Sequence, residues 1–261
     1  MTRSTEHKAL PPDPACTGCR HHALHLEQRC RPGDRCVRAH SGRQIDRFFR
    51  LNPEAAEQYL ADDFWERRAI AVLYAPLCAV EPLIGDPDPI VRRSVVMRLP
   101  PDRLKEFASD PDREVRVTIA HRAPREDLEI LAEDPDCSVR AVLAKRMPEG
   151  RLFRMIRDKD DHVRRLVAER LPVVSLGLMA GDQDPLVRRA ATARMSPGDA
   201  ETMLTDADWA VRYEAALRVE PASLLRLLDD DDPDIRDIAR SRLQSVGLLP
   251  DADADCSRLQ S

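Results

Sequence analysis

Four cysteines fall within twenty-one residues near the start of this chain: Cys16-Thr-Gly-Cys19, then Cys30 and Cys36. The other three, Cys78, Cys137 and Cys256, are scattered and read as packing, surface or tail thiols. Four thiolates in a tetrahedral set bind zinc or hold an iron–sulfur cluster. The spacing, C-x2-C-x10-C-x5-C, has a wider second pair than a zinc ribbon and matches neither standard ferredoxin run, so both metals stay open on spacing alone. His21, His22, His25 and His40 stand close by as nitrogen donors, but four cysteines already complete a ligand set. Arg20, Arg29, Arg31, Arg35 and Arg38 flank the cysteines and would offset the charge of a thiolate site. Between the last two cysteines, Arg31-Pro-Gly-Asp34 is turn chemistry.

Other chemistry is missing. The nine glycines form no phosphate-cradling loop, there is no nucleophile elbow, and no acid pair marks a pocket. The expectation is a binding protein rather than an enzyme, with no small-molecule substrate. The first fifteen residues lack the apolar core of a secretory signal and no apolar run is long enough to span a bilayer. The cysteines therefore read as cytoplasmic reduced thiols or metal ligands, not as a disulfide framework. A formal net charge of -5 argues against non-specific coating of nucleic acid. Residues 1–60 are nonetheless basic, with 10 Arg and Lys against 7 Asp and Glu.

What must carry this cysteine segment is a repeat. Asp86-Pro-Asp-Pro-Ile-Val-Arg-Arg-Ser-Val-Val-Met-Arg-Leu-Pro100 returns from Asp110, Asp134 and Asp158, and more loosely from Asp182, Asp206 and Asp230. A degenerate copy runs from Asp62 to Pro76, and each step is 24 residues. A fixed period of this size is the mark of a solenoid, in which each unit buries its apolar face against its neighbours. Asp-Pro-Asp starts a helix and Pro100 and its equivalents stop it about a dozen residues later. The few residues left, such as Leu104, Phe107 and Ala108, suit one short helix of about two turns, tight enough to be partly 3-10. The fold is therefore all-α. Only 4% of residues are aromatic, so small aliphatics must fill the interior. Taking Val91 as zero, the apolar positions at +4 (Val95, Ile119, Leu143, Val167) and +8 (Leu99, Ala123, Met147, Leu171) share its face.

Two arginine columns run through the repeats, one from Arg92 to Arg236 and one from Arg98 to Arg242, and two aspartate columns match them in number. The spacing predicts an i, i+4 pair between Asp88 and Arg92 and their equivalents. It also predicts a ladder of Asp–Arg pairs knitting successive repeats in preference to a nucleic-acid groove. Ahead of the repeats, residues 43–50 read as a helix carrying Ile45, Phe48 and Phe49 on one side. Asn52-Pro53-Glu54 reads as the capped start of a helix over 54–61. Phe48, Phe49, Tyr59, Phe64 and Trp65 form the expected joint between cysteine module and array.

The whole pattern resembles the leucine-rich repeat variant proteins: a four-cysteine module, then 24-residue repeats of the form Asp-Pro-Asp-x-x-Val-Arg-x-x-Val-Ala-x-Arg-Leu-Pro. The resemblance covers residues 16–249. It implies a right-handed solenoid of alternating α- and 3-10 helices without strands, and a [4Fe–4S] cluster in the module rather than zinc. Cys16, Cys19, Cys30 and Cys36 match its cluster ligands, and members are associated with nitrogen-fixing bacteria. The expected layout is a disordered tail over 1–15, the iron–sulfur module and joining helices over 16–61, eight repeats over 62–249 and an acidic disordered tail over 250–261. A protein partner is expected on the repeat surface, with the cluster as staple or redox switch. The alternative is a nucleic-acid-binding solenoid with a zinc- or cluster-stapled basic module.

Overall fold

The two aspartates that open each repeat have different jobs, and the difference sets the register of the array. The second is the helix N-cap: the Asp88 carboxylate accepts the Ile90 N–H at 2.8 Å, and Asp112, Asp136, Asp160, Asp184, Asp208 and Asp232 do the same. The first folds back on its own turn, Asp86 accepting the Asp88 N–H at 2.8 Å, and keeps its remaining lone pairs for an arginine of the preceding repeat. Proline after the first aspartate, as in Asp86-Pro87, holds the turn that separates these two roles.

The computed structural model describes residue 16 and residues 18–250. The tails expected over 1–15 and 250–261, with Cys256, lie outside them except for Pro250. The chain divides into two compact units, Met1–Ala123 and Pro124–Ser261, so the cysteine module shares a unit with the first repeats. In the first unit, α1 (His22–Leu26) and α2 (Gly42–Leu51) belong to the module. A 3-10 helix, Pro53–Tyr59, leads to α3 (Trp65–Tyr74), and helices Pro89–Arg98 and Arg113–Arg122 follow with 3-10 segments Glu81–Gly85 and Pro101–Phe107 between them. In the second unit, α-helices Cys137–Arg146, Asp161–Ala168, Pro185–Thr192, Trp209–Ala216 and Pro233–Ser245 alternate with 3-10 segments such as Glu149–Met155, Val173–Met179 and Pro221–Leu227. Among the described residues there is no strand, only one isolated antiparallel bridge between Arg31 and Arg35. The expected one-α, one-3-10 unit is what forms. Leu99, in front of Pro100, is extended (φ -61°, ψ 148°), because the proline ring expels its neighbour from the helical region.

The core follows the wheel. Val91, Val95, Leu99, Val115 and Ile119 in the first unit, and Val139, Leu143, Met147, Val163, Val167 and Leu171 in the second, are all fully buried. Each buried aliphatic of this size contributes about 1.5–3 kcal/mol.

The arginine columns depart from expectation in one respect. Arg92 does not pair with Asp88 four residues back. Its Nε and Nη2 donate to Asp110, eighteen residues ahead, at 2.8 and 2.9 Å, and its Nη1 donates to the Asp86 and Pro87 carbonyls of its own turn. Asp88 is already committed to the helix end, and the next repeat's first aspartate lies within reach of the guanidinium fork. The expected ladder between successive repeats is present: Arg68–Asp86 and Arg92–Asp110 in the first unit, Arg140–Asp158, Arg164–Asp182, Arg188–Asp206 and Arg212–Asp230 in the second. Arg68 shows that the first repeat, degenerate in sequence, is a full rung. What it lacks is the capping aspartate, since Phe64 stands there and gives no side-chain cap.

The second arginine column ties off the C-terminus of the preceding helix. Arg98 donates to the Val72 and Ala75 carbonyls, Arg194 to those of Ala168 and Leu171, and Arg242 to those of Ala216 and Val219. These carbonyls have no partner within their own helix, so one side chain closes two open valences. Arg218 departs from the pattern and lies 3.7 Å from Glu214.

Candidate metal centre

The cysteine module folds as a series of tight turns around its four thiols. The Cys19 N–H donates to the Cys16 carbonyl at 3.1 Å, with Gly18 at φ +78° completing the first turn. α1 then carries the chain away and back, and the Cys30 N–H closes on the Leu24 carbonyl at 3.1 Å. Arg31 and Arg35 exchange backbone hydrogen bonds of 2.8 and 2.9 Å across a knuckle whose Gly33 (φ +77°) adopts the left-handed conformation that a side chain would strain. The knuckle delivers Cys36 opposite Cys30. α2 follows, and its Ile45, Phe48 and Phe49 form the floor of the module, fully buried as the pattern required.

The structure brings all four predicted cysteines together. Cys16, Cys19, Cys30 and Cys36 line one cavity of about 400 Å³ with His21, Pro32, Gly33, Arg38, Ala39 and Gln44. Cys16 and Cys30 are buried; Cys19 and Cys36 are half-buried. None of these lining residues is acidic and one, Arg38, is cationic. Cys36 is drawn down to about 6: the hydrogen bond from Cys30 is the largest cause, and the N–H groups of Arg38 and Ala39 with the Arg38 charge add to it against burial. Cys30 moves the opposite way, raised by the same shared hydrogen bond and by burial. The pair thus holds one proton, and Cys36 is a thiolate near neutral pH, the form that binds metal.

The donor set, four thiols around one cavity, fits a four-thiolate iron–sulfur cluster.

The histidines are used otherwise. His21 is buried, with its Nε2 2.5 Å from the Tyr59 hydroxyl and its ring edge-on to Phe48 at 5.0 Å. His25 donates from Nδ1 to the Cys30 carbonyl at 3.0 Å, which steadies the second cysteine pair. His40 rests edge-on to Phe64. Cys78 and Cys137 are exposed and are not among the residues lining the cysteine cavity.

One residue and one helix that the sequence misjudged hold the module shut. Asn52 does not cap the following helix. It is fully buried and donates to the Phe48 carbonyl at 2.7 Å and the Arg29 carbonyl at 3.1 Å, closing the end of α2 and fastening it to the cysteine segment. The helix expected over 54–61 is 3-10 over Pro53–Tyr59 and buries Tyr59 against His21 and Phe49. The aromatic joint is real: Tyr74 of the first repeat stacks on Phe49 at 6.1 Å and donates to Asp46 at 2.6 Å.

Residues 13–58 match the family described as LRV protein FeS4 cluster, and residues 113–136 the family described as leucine rich repeat variant. A solved structure described as a leucine-rich repeat variant with a novel repetitive protein structural motif is 51% identical; the match covers 89% of this chain and 100% of that one, with a TM-score of 0.83. An uncharacterized 27.7 kDa protein in the nifB 3′ region of Rhodobacter capsulatus is 36% identical over 85 residues, 33% of this chain and 35% of that protein. The match thus spans about a third of the length of that curated relative.

Proposed function

The chain belongs to the leucine-rich repeat variant family, and from that premise we propose that it is a non-enzymatic protein whose Cys16, Cys19, Cys30 and Cys36 hold a [4Fe–4S] cluster and whose repeats dock a protein partner. Taken together, the two family matches support a repeat protein with an iron–sulfur module. The observation that carries the ligand assignment is the convergence of four thiols on one cavity with no acidic lining. Bound there, the group supplies a covalent staple and a one-electron redox centre. Arg38 would offset its negative charge, and the Arg38 and Ala39 N–H groups aimed at Cys36 would tune it. The module's own core is small, and a stapled site makes up what it lacks.

The ladder argues against the nucleic-acid reading. In both units the first arginine column is bonded to aspartate and carbonyl oxygens, which leaves little of it for phosphates. Among the described residues no helix is long and apolar enough to cross a membrane, in keeping with a cytoplasmic setting. The position of the Rhodobacter capsulatus relative beside nifB supports a partner that works in nitrogen fixation.

The test is anaerobic purification with iron, sulfide and zinc quantified per chain. Four irons and four sulfides, as the cuboidal cluster requires, with loss of both in Cys30→Ser, is the expected result. One zinc and no sulfide would overturn the assignment. Cross-linking of the loaded chain in extracts before and after air oxidation then tests whether partner capture follows the oxidation state.

A further inference from the structure

We propose that the module carries a second site, a binding pocket for a small oxyanion of phosphate or carboxylate type, beside the cysteine cavity. A separate cavity of about 320 Å³ lies against the outer side of Cys19 and His21. Three guanidinium groups line it, Arg20, Arg38 and Arg67, against a single carboxylate, Asp62. The volume is that of about ten waters, enough for an anion of phosphate size with part of its hydration shell.

The arginines are held in place, and of the three Arg67 alone is paired with a carboxylate among the described residues. Arg20 lies over the Tyr59 ring at 4.6 Å and hydrogen-bonds the Tyr59 oxygen, and Arg67 lies over the Phe64 ring at 5.2 Å, so aromatic side chains hold both guanidinium groups in place. Arg67 commits one nitrogen, Nη1, to Asp62 at 2.8 and 3.0 Å. Its Nε–H is shut off from solvent and has no acceptor in the structure. No carboxylate partner for Arg20 or Arg38 is present among the described residues.

Charge compensation of the cysteine site does not explain the arrangement. Arg38 lines both cavities, but Arg20 and Arg67 line only the second and touch none of the space enclosed by the thiols. Planar forks converging on one space are the usual receptor for a multi-oxygen anion. The inference is independent of what the repeats bind.

The test is calorimetric titration of the full, iron-loaded chain with inorganic phosphate and, separately, with succinate, at low ionic strength under nitrogen. Saturable binding of either, with Kd below about 1 mM, is expected. Arg20→Gln and Arg67→Gln should each weaken it about tenfold or more, while Arg226→Gln, an exposed residue of a late repeat that does not line the cavity, should leave it unchanged. Iron content equal to the parent's certifies that each variant keeps its module. Preference between the two anions reports whether a phosphoryl or a carboxyl group is the natural ligand. No saturable heat with either anion, or equal binding by Arg20→Gln and Arg226→Gln, would overturn the site.

Discussion

The repeats and the cysteine module use arginine in opposite ways. In the repeats, a guanidinium is a structural part. Arg140 is 3% exposed at its side chain and Asp158 6%, and two bonds of 2.7 and 2.8 Å join them. The third nitrogen of Arg140 closes carbonyls of its own turn. In the module, Arg20 and Arg38 are exposed, Arg20 stands over the Tyr59 ring, and both line a cavity whose single carboxylate, Asp62, is bonded to Arg67. A periodic sequence can settle its charges internally, because each rung presents the same acceptor to the next. A single-copy module has no such partner supplied by repetition. It rests on thiols, on one buried amide and on a cluster of aromatic rings; Arg29, Arg35, Arg47 and Arg50 find local carboxylates, while Arg20 and Arg38 have none among the described residues.

That contrast can be broken at several points, the largest effect being removal of the metal. Chelation of iron from the loaded protein should loosen residues 16–61 while the repeats stay folded. Hydrogen exchange by peptide is the measurement: protection lost in the module and kept from Val91 onward. Equal loss in both would mean that the repeats depend on the cluster too. Acid comes next, since it acts on many rungs at once. Asp86, Asp110, Asp158 and Asp206 are pushed up by burial, but the Arg68, Arg92, Arg140 and Arg188 bonds and a backbone N–H outweigh it, and all four titrate below the usual carboxylate range. A lowered native value means stability that is fully present above about pH 4 and lost as pH falls through the native values. Helicity followed by circular dichroism should therefore hold to that point and collapse below it. A loss between pH 7 and 5 would instead implicate histidines. Third is a single rung. Arg140→Ala leaves the Asp158 carboxylate buried and unpaired and should cost about 3–5 kcal/mol by denaturant unfolding. An unchanged midpoint would show that the column is solvated.

Most of this architecture was legible in the chain because repetition multiplies each weak signal. One Asp-x-Asp is a turn; seven at a fixed period are a register. The four cysteines were legible for the opposite reason, being concentrated in a chain that otherwise uses cysteine sparsely. What stayed hidden depended on the distance between turns. The Arg92–Asp110 bond spans eighteen residues, and no local spacing rule favours it over the i, i+4 alternative. Asn52 carried a cap signature but serves the helix before it, because Arg29, twenty-three residues away, places its carbonyl within 3.1 Å. The cavity of Arg20, Arg38 and Arg67 combines residues from the cysteine turns and the first repeat, which only the folded chain brings side by side.

The smallest effect tests the corrected pairing most directly. Asp182 and Asp184 are the same residue type two positions apart, yet their partners differ. Asp182 receives Arg164 from the preceding repeat at 2.7 and 3.0 Å, with both side chains nearly buried. Asp184 accepts the Leu186 N–H at 2.7 Å and caps its helix. If Arg188 leaned on Asp184 four residues back, both substitutions would strand a buried charge. Arg188 is instead bonded to Asp206. Asp184→Ala should thus cost only the cap, about 1 kcal/mol, while Asp182→Ala should cost about 3–5 kcal/mol by leaving Arg164 without a counter-charge. Denaturant midpoints of the two variants, measured side by side, separate the cases. Equal losses would restore the pair within one repeat and dissolve the distinction between capping and knitting aspartates.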